Sequence, residues 1–473
     1  MATINVELRT VRIPDFGLPE HQPQIGRGEY ESRVESARAR ARQQNLDFLL
    51  VYGDREHFAN VAFLTGCDPR FEEALLVIPA GGDAPPTLIV GNEGAGYAEC
   101  VSPHVRQALC QSFSLLGQPR DRSPRLESVL RECGIGSGRR PSAVARIGIA
   151  GWKYADERET ADPAHWLDAP ACIADSLRRI AGEPDLVTNA TPIFMHPVDG
   201  LRLRNSADQL AAFEFGAAHC SQSVRDAIAG LRPGISEFDA VQRMKLNGLP
   251  WTCHLMFSTG SRSRFGLCSP SDRTIERGDP FTTAFGLWGG LTARAGFVAA
   301  GESDLRPENR GYVGHTVAPY FRAAVAWYET IGIGATGGSV CSAVSDAIGD
   351  LKLTLNPGHY IHLDEWVHTP FFPGSPIELA SGMLLQCDMI PHWHPEYHTS
   401  NIEDTIALAD EPLRQELATR HPGVWQRISR RREFVQNQIG IRLKPEVLPF
   451  SNLACTLQPF ALEPGKAMAV RKV

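Results

Sequence analysis

The sequence predicts two domains of different class: an α/β domain over residues 1–195, and an α+β domain with a curved antiparallel sheet over residues 196–410, followed by a helix and tail over 411–473. Three observations predict this. The 473 residues exceed what one compact core accommodates. Helix and strand patterns alternate through the first part of the chain. Beyond Phe257, helical periodicity gives way to Gly-, Ser- and Thr-rich stretches broken by turns.

In chain order, Glu31 to Gln44 (ESRVESARARARQQ) reads as an exposed, Arg-rich helix, and DFLLVYG after it as a buried strand. EALLVIP at 73–79 and PTLIVG at 86–91 add two strands separated by Gly/Pro turns. VARIGIAGW at 144–152 reads as a further strand and Ile173 to Ala181 as a helix. From Asn205, Ser206 caps a long amphipathic helix, and PGISEFDAVQRM gives a turn, a cap and a second helix. Phe257 to Val298 carries antiparallel strands; Ala318 to Thr330 and Ser339 to Leu351 are helices; strands and turns run on to about 410. One charged helix, Glu411 to Ile439, opens the tail.

Hydrophobic residues make up 43% and charged residues 21%, as in globular proteins. A net charge of −7 without Lys/Arg runs offers nothing to a phosphate backbone, so nucleic acid is not an expected partner. The first twenty residues are charged and contain proline, and no apolar run approaches the ~18 residues of a membrane span, so a cytoplasmic location away from membranes is expected. The eleven cysteines, without C-x-x-C pairs, read as reduced thiols, Cys253, Cys268 and Cys387 among them.

The landmarks RLRNSADQLAAF, SPSDRTIERGDP (269–280), GH (358–359), VHTP (367–370), SGMLLQCD (381–388) and NIEDTIAL (401–408) stand in the order found in the creatinase, prolidase and methionine-aminopeptidase family, which the chain resembles over about residues 30–410. RVESARARARQQNLDFLLVYGDREHFANVAFLTG is similar to that family's smaller α/β domain. The resemblance implies the pita-bread fold, and in the family's metallopeptidases two aspartates, one histidine and two glutamates hold two divalent ions that polarise a carbonyl and lower the pKa of a bridging water. His359 matches the histidine, Asp388 stands where a glutamate is usual, and Glu403 matches the last glutamate. The aspartates are replaced, the first by Ala284 and the second by Ala295, or by Arg294 if the hairpin is one residue short. Half of the anionic charge that two dications require is missing, and an inward Arg294 would repel metal. Phe285, Leu287, Trp288 and Leu291 make the hairpin apolar, which suits an organic ligand.

Creatinase works without metal through a histidine in this cleft, but Leu267 stands at the corresponding place, after HLMFSTG. Among the remaining polar groups, His359, His362 and His368 lie close together around Asp364 and Glu365, and His392, His394 and His398 precede Glu403. Imidazole beside carboxylate is the usual acid/base pairing at neutral pH. His368, which matches a family histidine at the scissile group, and His359 are the expected acid and base, oriented by Asp388 and Glu403. The expected substrate-binding groups are His254, Arg262, Arg264, Leu267, Trp288 and His362, with Arg70 and Phe71 in the first domain, where creatinase-like dimers send a loop to the partner. Arg262 and Arg264 read equally as a solvated loop, and Arg70 as a partner of Glu72 or Glu73.

The first expectation is a metal-independent, cofactor-free hydrolase acting on a C–N bond of a small amino-acid-like or amidino compound, in a homodimer whose N-terminal domain lies near the partner's cleft. Two alternatives stand beside it. One is an Xaa-Pro aminopeptidase or dipeptidase with an altered, mononuclear metal site; the other is a non-catalytic ligand-binding protein.

Overall fold

A computed structural model describes residues 4–102, 104–136, 145–396 and 398–471; residue 144, the first of the strand expected at 144–152, lies outside them. The chain forms two compact units, Ile25–Leu203 and Met1–Gln24 together with Arg204–Val473. This differs from the division into 1–195, 196–410 and 411–473. Both ends of the chain belong to the second unit, because β1 (Val6–Thr10) pairs along its full length with a strand formed by residues 466–470.

In the unit Ile25–Leu203, six strands form a mixed sheet: β2 (Phe48–Gly53), β3 (Ala74–Pro79), β4 (Thr87–Val90), β5 (Arg106–Leu109), β6 (Ile147–Ala150) and β7 (Val187–Asn189), in the order β5-β4-β3-β2-β6-β7. β3 runs antiparallel to β2 and β4, and the other neighbours are parallel. Every residue of β2 and β4 is buried, as continuous apolar runs in a sheet covered on both faces require. Helix Arg27–Gln43 is not the exposed helix its arginines suggest. Val34, Ala37 and Ala41 face the core, and Arg33 and Arg38 are buried with them, their guanidinium groups donating to the Phe63 and Pro79 carbonyls.

The second unit opens with helix Ala207–Ala229, whose N-cap Ser206 accepts from the Gln209 amide. Seven strands follow: β8 (Trp251–Thr259), β9 (Pro280–Leu287), β10 (Gly290–Phe297), β11 (His359–Tyr360), β12 (Leu384–Asp388), β13 (Asn401–Leu408) and β14 (Val447–Pro449). They make an antiparallel sheet in the order β11-β12-β13-β10-β9-β8, with β14 added on β13, while β15 (Lys466–Val470) joins β1. β9 and β10 are joined by two residues, Trp288 and Gly289, with φ of 44° and 82°. These are the signs of a type I′ turn, which matches the twist of its strands. Gly289 is obligatory there, since a Cβ would lie 2.2 Å from the Phe213 ring.

Helices Ala318–Thr330 and Gly337–Ile348 lie where expected, the second capped by Thr336. The single helix expected over Glu411 to Ile439 is broken into Glu411–Arg420 and Pro422–Phe434. Pro422 lacks the amide proton that a continuous helix would need and disfavours helical geometry at His421.

Candidate active site

Sheet register assembles the site. Asp388 on β12 stands opposite Glu403 on β13; Glu403 stands opposite Ala293 on β10; Ala293 stands opposite Ala284 on β9. Directly opposed residues share a face, so these four side chains form one row across four strands. β11 sets His359 opposite Gln386, two residues before Asp388 and therefore on the same face.

His359, Asp388 and Glu403 are all buried, and one ligand atom from each lies within 4.8 Å of the others. His359 Nε2 is 3.5 Å from Glu403 Oε1 and 3.8 Å from Asp388 Oδ2. Its other nitrogen, Nδ1, donates to the Tyr360 carbonyl at 3.0 Å, which leaves a lone pair on Nε2 facing two carboxylates. Neither Nε2 nor Asp388 Oδ1 has a hydrogen-bond partner among the described residues. Burial, then the Glu403 charge, pushes the Asp388 carboxyl well above the ordinary range. Burial, then the charges of Glu365 and Asp404, does the same to Glu403. A buried lone pair and two facing carboxylates call for a proton or a cation between them.

Two neighbours outside the expected catalytic and binding residues complete the surroundings. The Trp366 indole stacks on the His359 ring, centroids 4.2 Å apart and planes 18° apart, and is itself 39% exposed. It lies between solvent and an otherwise buried imidazole. Glu365, beside it in sequence, adds its charge to both Asp388 and Glu403. The placement of Asp364 and Glu365 between histidines was visible in the sequence; the stacking of Trp366 had no local signal.

The other expected residues are distributed as follows. His368 is half-buried, with Nδ1 accepting from the Thr369 amide at 2.8 Å, and is not one of the three converging groups. His362 is buried edge-on to Phe213, with centroids 4.8 Å apart, and Trp288 occupies the β9–β10 turn. His254 is exposed on β8. Arg262 is not free to meet a ligand: it donates to buried Glu237 at 2.6 Å, to Ser271 and to the Ser269 carbonyl. Arg264 is exposed, its guanidinium over the rings of Phe265 and Trp393, and Leu267 is 71% exposed nearby in sequence. In the unit Ile25–Leu203, Arg70 pairs with Asp68, and Phe71 is 62% exposed. Both line a cavity of about 100 Å³ together with Glu72 and Tyr97. Cys253 and Cys387 are buried, their thiols pushed well above the ordinary range chiefly by burial, and Cys268 is half-buried.

Arg294 does not point into the site. It lies on the opposite face of β10, buried, where it pairs with Asp404 at 2.8 Å and donates to the Thr456 carbonyl at 3.0 Å. The residue beside Glu403 is Ala293 rather than Arg294 or Ala295, because the two-residue turn sets the register. The donor set of one imidazole lone pair and two carboxylates suits one divalent cation. A pair of ions is not suited, since Ala284 and Ala293 offer no oxygen where further carboxylates would stand.

No protein-family model and no curated protein matches the sequence. Solved structures do match. A dipeptidase from Mycobacterium ulcerans is 19% identical with a TM-score of 0.59, over 82% of this chain and 95% of its own. A prolidase from Thermococcus sibiricus is 15% identical with a TM-score of 0.61, over 82% and 96%. An X-Pro aminopeptidase from Thermotoga maritima is 13% identical with a TM-score of 0.58, over 80% and 95%. These likenesses, spread along most of the chain, show that it has the pita-bread fold.

Proposed function

We propose that this chain is a hydrolase acting on a C–N bond of a small amino-acid-like compound, with His359, Asp388 and Glu403 as its reaction centre. The observation that carries the reading is the convergence of three buried ionisable groups within 4.8 Å of one another, two atoms of which have no hydrogen-bond partner among the described residues. Such groups are costly to keep unless they are used. The dipeptidase, prolidase and aminopeptidase structures that share the fold support a C–N bond as the one acted on.

The two carboxyls divide the work. Facing each other in a buried site, they do not both ionise readily, so one retains a proton to give to a departing amine while the other accepts one from attacking water. His359, tethered through Nδ1, presents Nε2 to both as the group that relays or balances charge. Trp366 excludes water from the imidazole and must shift for a substrate to reach it. In this form the reaction needs no metal. A second reading is favoured by the lone pair of Nε2 and the unpartnered Asp388 oxygen: His359, Asp388 and Glu403 would hold one divalent cation, which would supply Lewis-acid polarisation of a substrate carbonyl and acidification of water.

The test is amine release from a panel of dipeptides, Xaa-Pro peptides, N-acyl amino acids and amidino compounds. Turnover should fall at least ~100-fold in Glu403→Gln, the usual scale for a lost acid/base group. Tight binding of a panel member without cleavage would instead identify a non-catalytic binding protein.

A further inference from the structure

The half of the row that lacks carboxylates is built as deliberately as the half that has them. Ala284 and Ala293 are both buried, and Met256 on β8 stands opposite Ala284, extending the row with a third apolar side chain. Cys220 Sγ donates to the Phe285 carbonyl at 2.6 Å and Cys253 Sγ to the His254 carbonyl at 3.6 Å, and neither thiol is among the converging groups. At the other end, His359 Nε2 and Asp388 Oδ1 are buried and unpartnered among the described residues, and both belong to groups whose ligand atoms converge with that of Glu403. Asp388 and Glu403 together neutralise one dication, and Glu365, whose charge reaches both, is not among the groups whose ligand atoms converge; Arg294, next to Ala293 in sequence, is committed to Asp404 on the opposite face.

We infer that the chain binds one divalent cation, on His359, Asp388 and Glu403, beside the Trp366 indole that stacks on the His359 ring, in place of the two ions held by metallopeptidases of this fold. This deepens the second reading of the reaction centre and rests on it. Because Trp366 is stacked on a ligand ring at 4.2 Å, it lies within reach of a paramagnetic ion bound there and reports its arrival.

The probe is the metal alone, added to the full chain after chelation and dialysis. Mn²⁺ and Zn²⁺ are titrated by calorimetry and the bound ion is counted by elemental analysis, with circular dichroism confirming that each variant is folded. One equivalent per chain is expected. Asp388→Asn and Glu403→Gln should each weaken binding by at least the ~10- to 100-fold that even outer-sphere changes produce. Mn²⁺ or Co²⁺ should quench tryptophan emission in the parent chain, and Trp366→Phe should remove most of that quench at unchanged stoichiometry. The Ala284→Asp, Ala293→Asp double variant should take up a second equivalent. Two equivalents in the parent chain, none in a folded parent chain, or one that neither carboxylate variant weakens would overturn the inference. One bound ion without turnover of any panel compound would leave it standing and remove the hydrolase reading. Turnover by a folded chain that binds no ion would do the reverse.

Discussion

Replacing Asp388 by asparagine is expected to stabilise the ion-free chain. Asp388 and Glu403 are buried opposite one another, and burial followed by the Glu403 charge raises the Asp388 carboxyl well above the ordinary range. Such a group keeps its proton in the folded chain at a pH where the unfolded chain has lost it. Stability therefore falls as pH rises above the unfolded value near ~4, and continues to fall until the folded carboxyl also ionises. The slope is about 1.4 kcal/mol per pH unit for each carboxyl in this condition, and about 2.7 kcal/mol where Asp388 and Glu403 are both protonated. Asparagine cannot ionise, and its amide can donate to the Glu403 carboxylate. Asp388 Oδ1 has no hydrogen bond among the described residues to lose in the exchange. The parent chain and Asp388→Asn should thus have similar stability near pH 4 and diverge above it, the variant gaining about 1.4 kcal/mol per pH unit. Guanidinium unfolding in chelator, repeated in half-unit steps from pH 4 to 7, measures the difference. A variant less stable at every pH, or an offset that does not change with pH, would refute this account of the buried pair.

Other perturbations have equally definite outcomes. Arg294→Ala leaves Asp404 buried without its partner and should cost about 3–5 kcal/mol in chemical denaturation; replacing both with apolar residues of similar size should recover most of that loss. Arg262→Ala removes a charge-assisted hydrogen bond to buried Glu237 and should lower stability by about 1.5–3 kcal/mol without altering metal stoichiometry. Trp366→Ala uncovers His359: modification by diethyl pyrocarbonate, mapped by mass spectrometry, should be absent at His359 in the parent chain and appear in the variant.

The parts of the site legible in the sequence were those carried by short motifs that resemble the family's. His359, Asp388 and Glu403 were singled out through the resemblance of GH, SGMLLQCD and NIEDTIAL to the family's landmarks, and each lies on a strand. What decided the empty half was not local. Counting along FTTAFGLWGGLTARAGFV leaves the hairpin length open, and it took the positive φ of Trp288 and Gly289 to close the turn at two residues. That brings Ala293 beside Glu403 and turns Arg294 away. The commitment of Arg262 to Glu237, 25 positions earlier, and the stacking of Trp366 on His359 are likewise products of tertiary packing that no periodicity records. The tail was least legible, since its strands β14 and β15 pair with elements far away in sequence.

That last pairing bears on how the protein is made. β15 follows β1 by about 460 residues, so at ~5–20 residues per second β1 waits roughly 20 to 90 seconds for a mate. Meanwhile the unit Ile25–Leu203 is synthesised whole and free to fold. A short, half-buried strand with two charged side chains, VELRT, is a suitable segment to leave waiting, because it offers little apolar edge to other nascent chains.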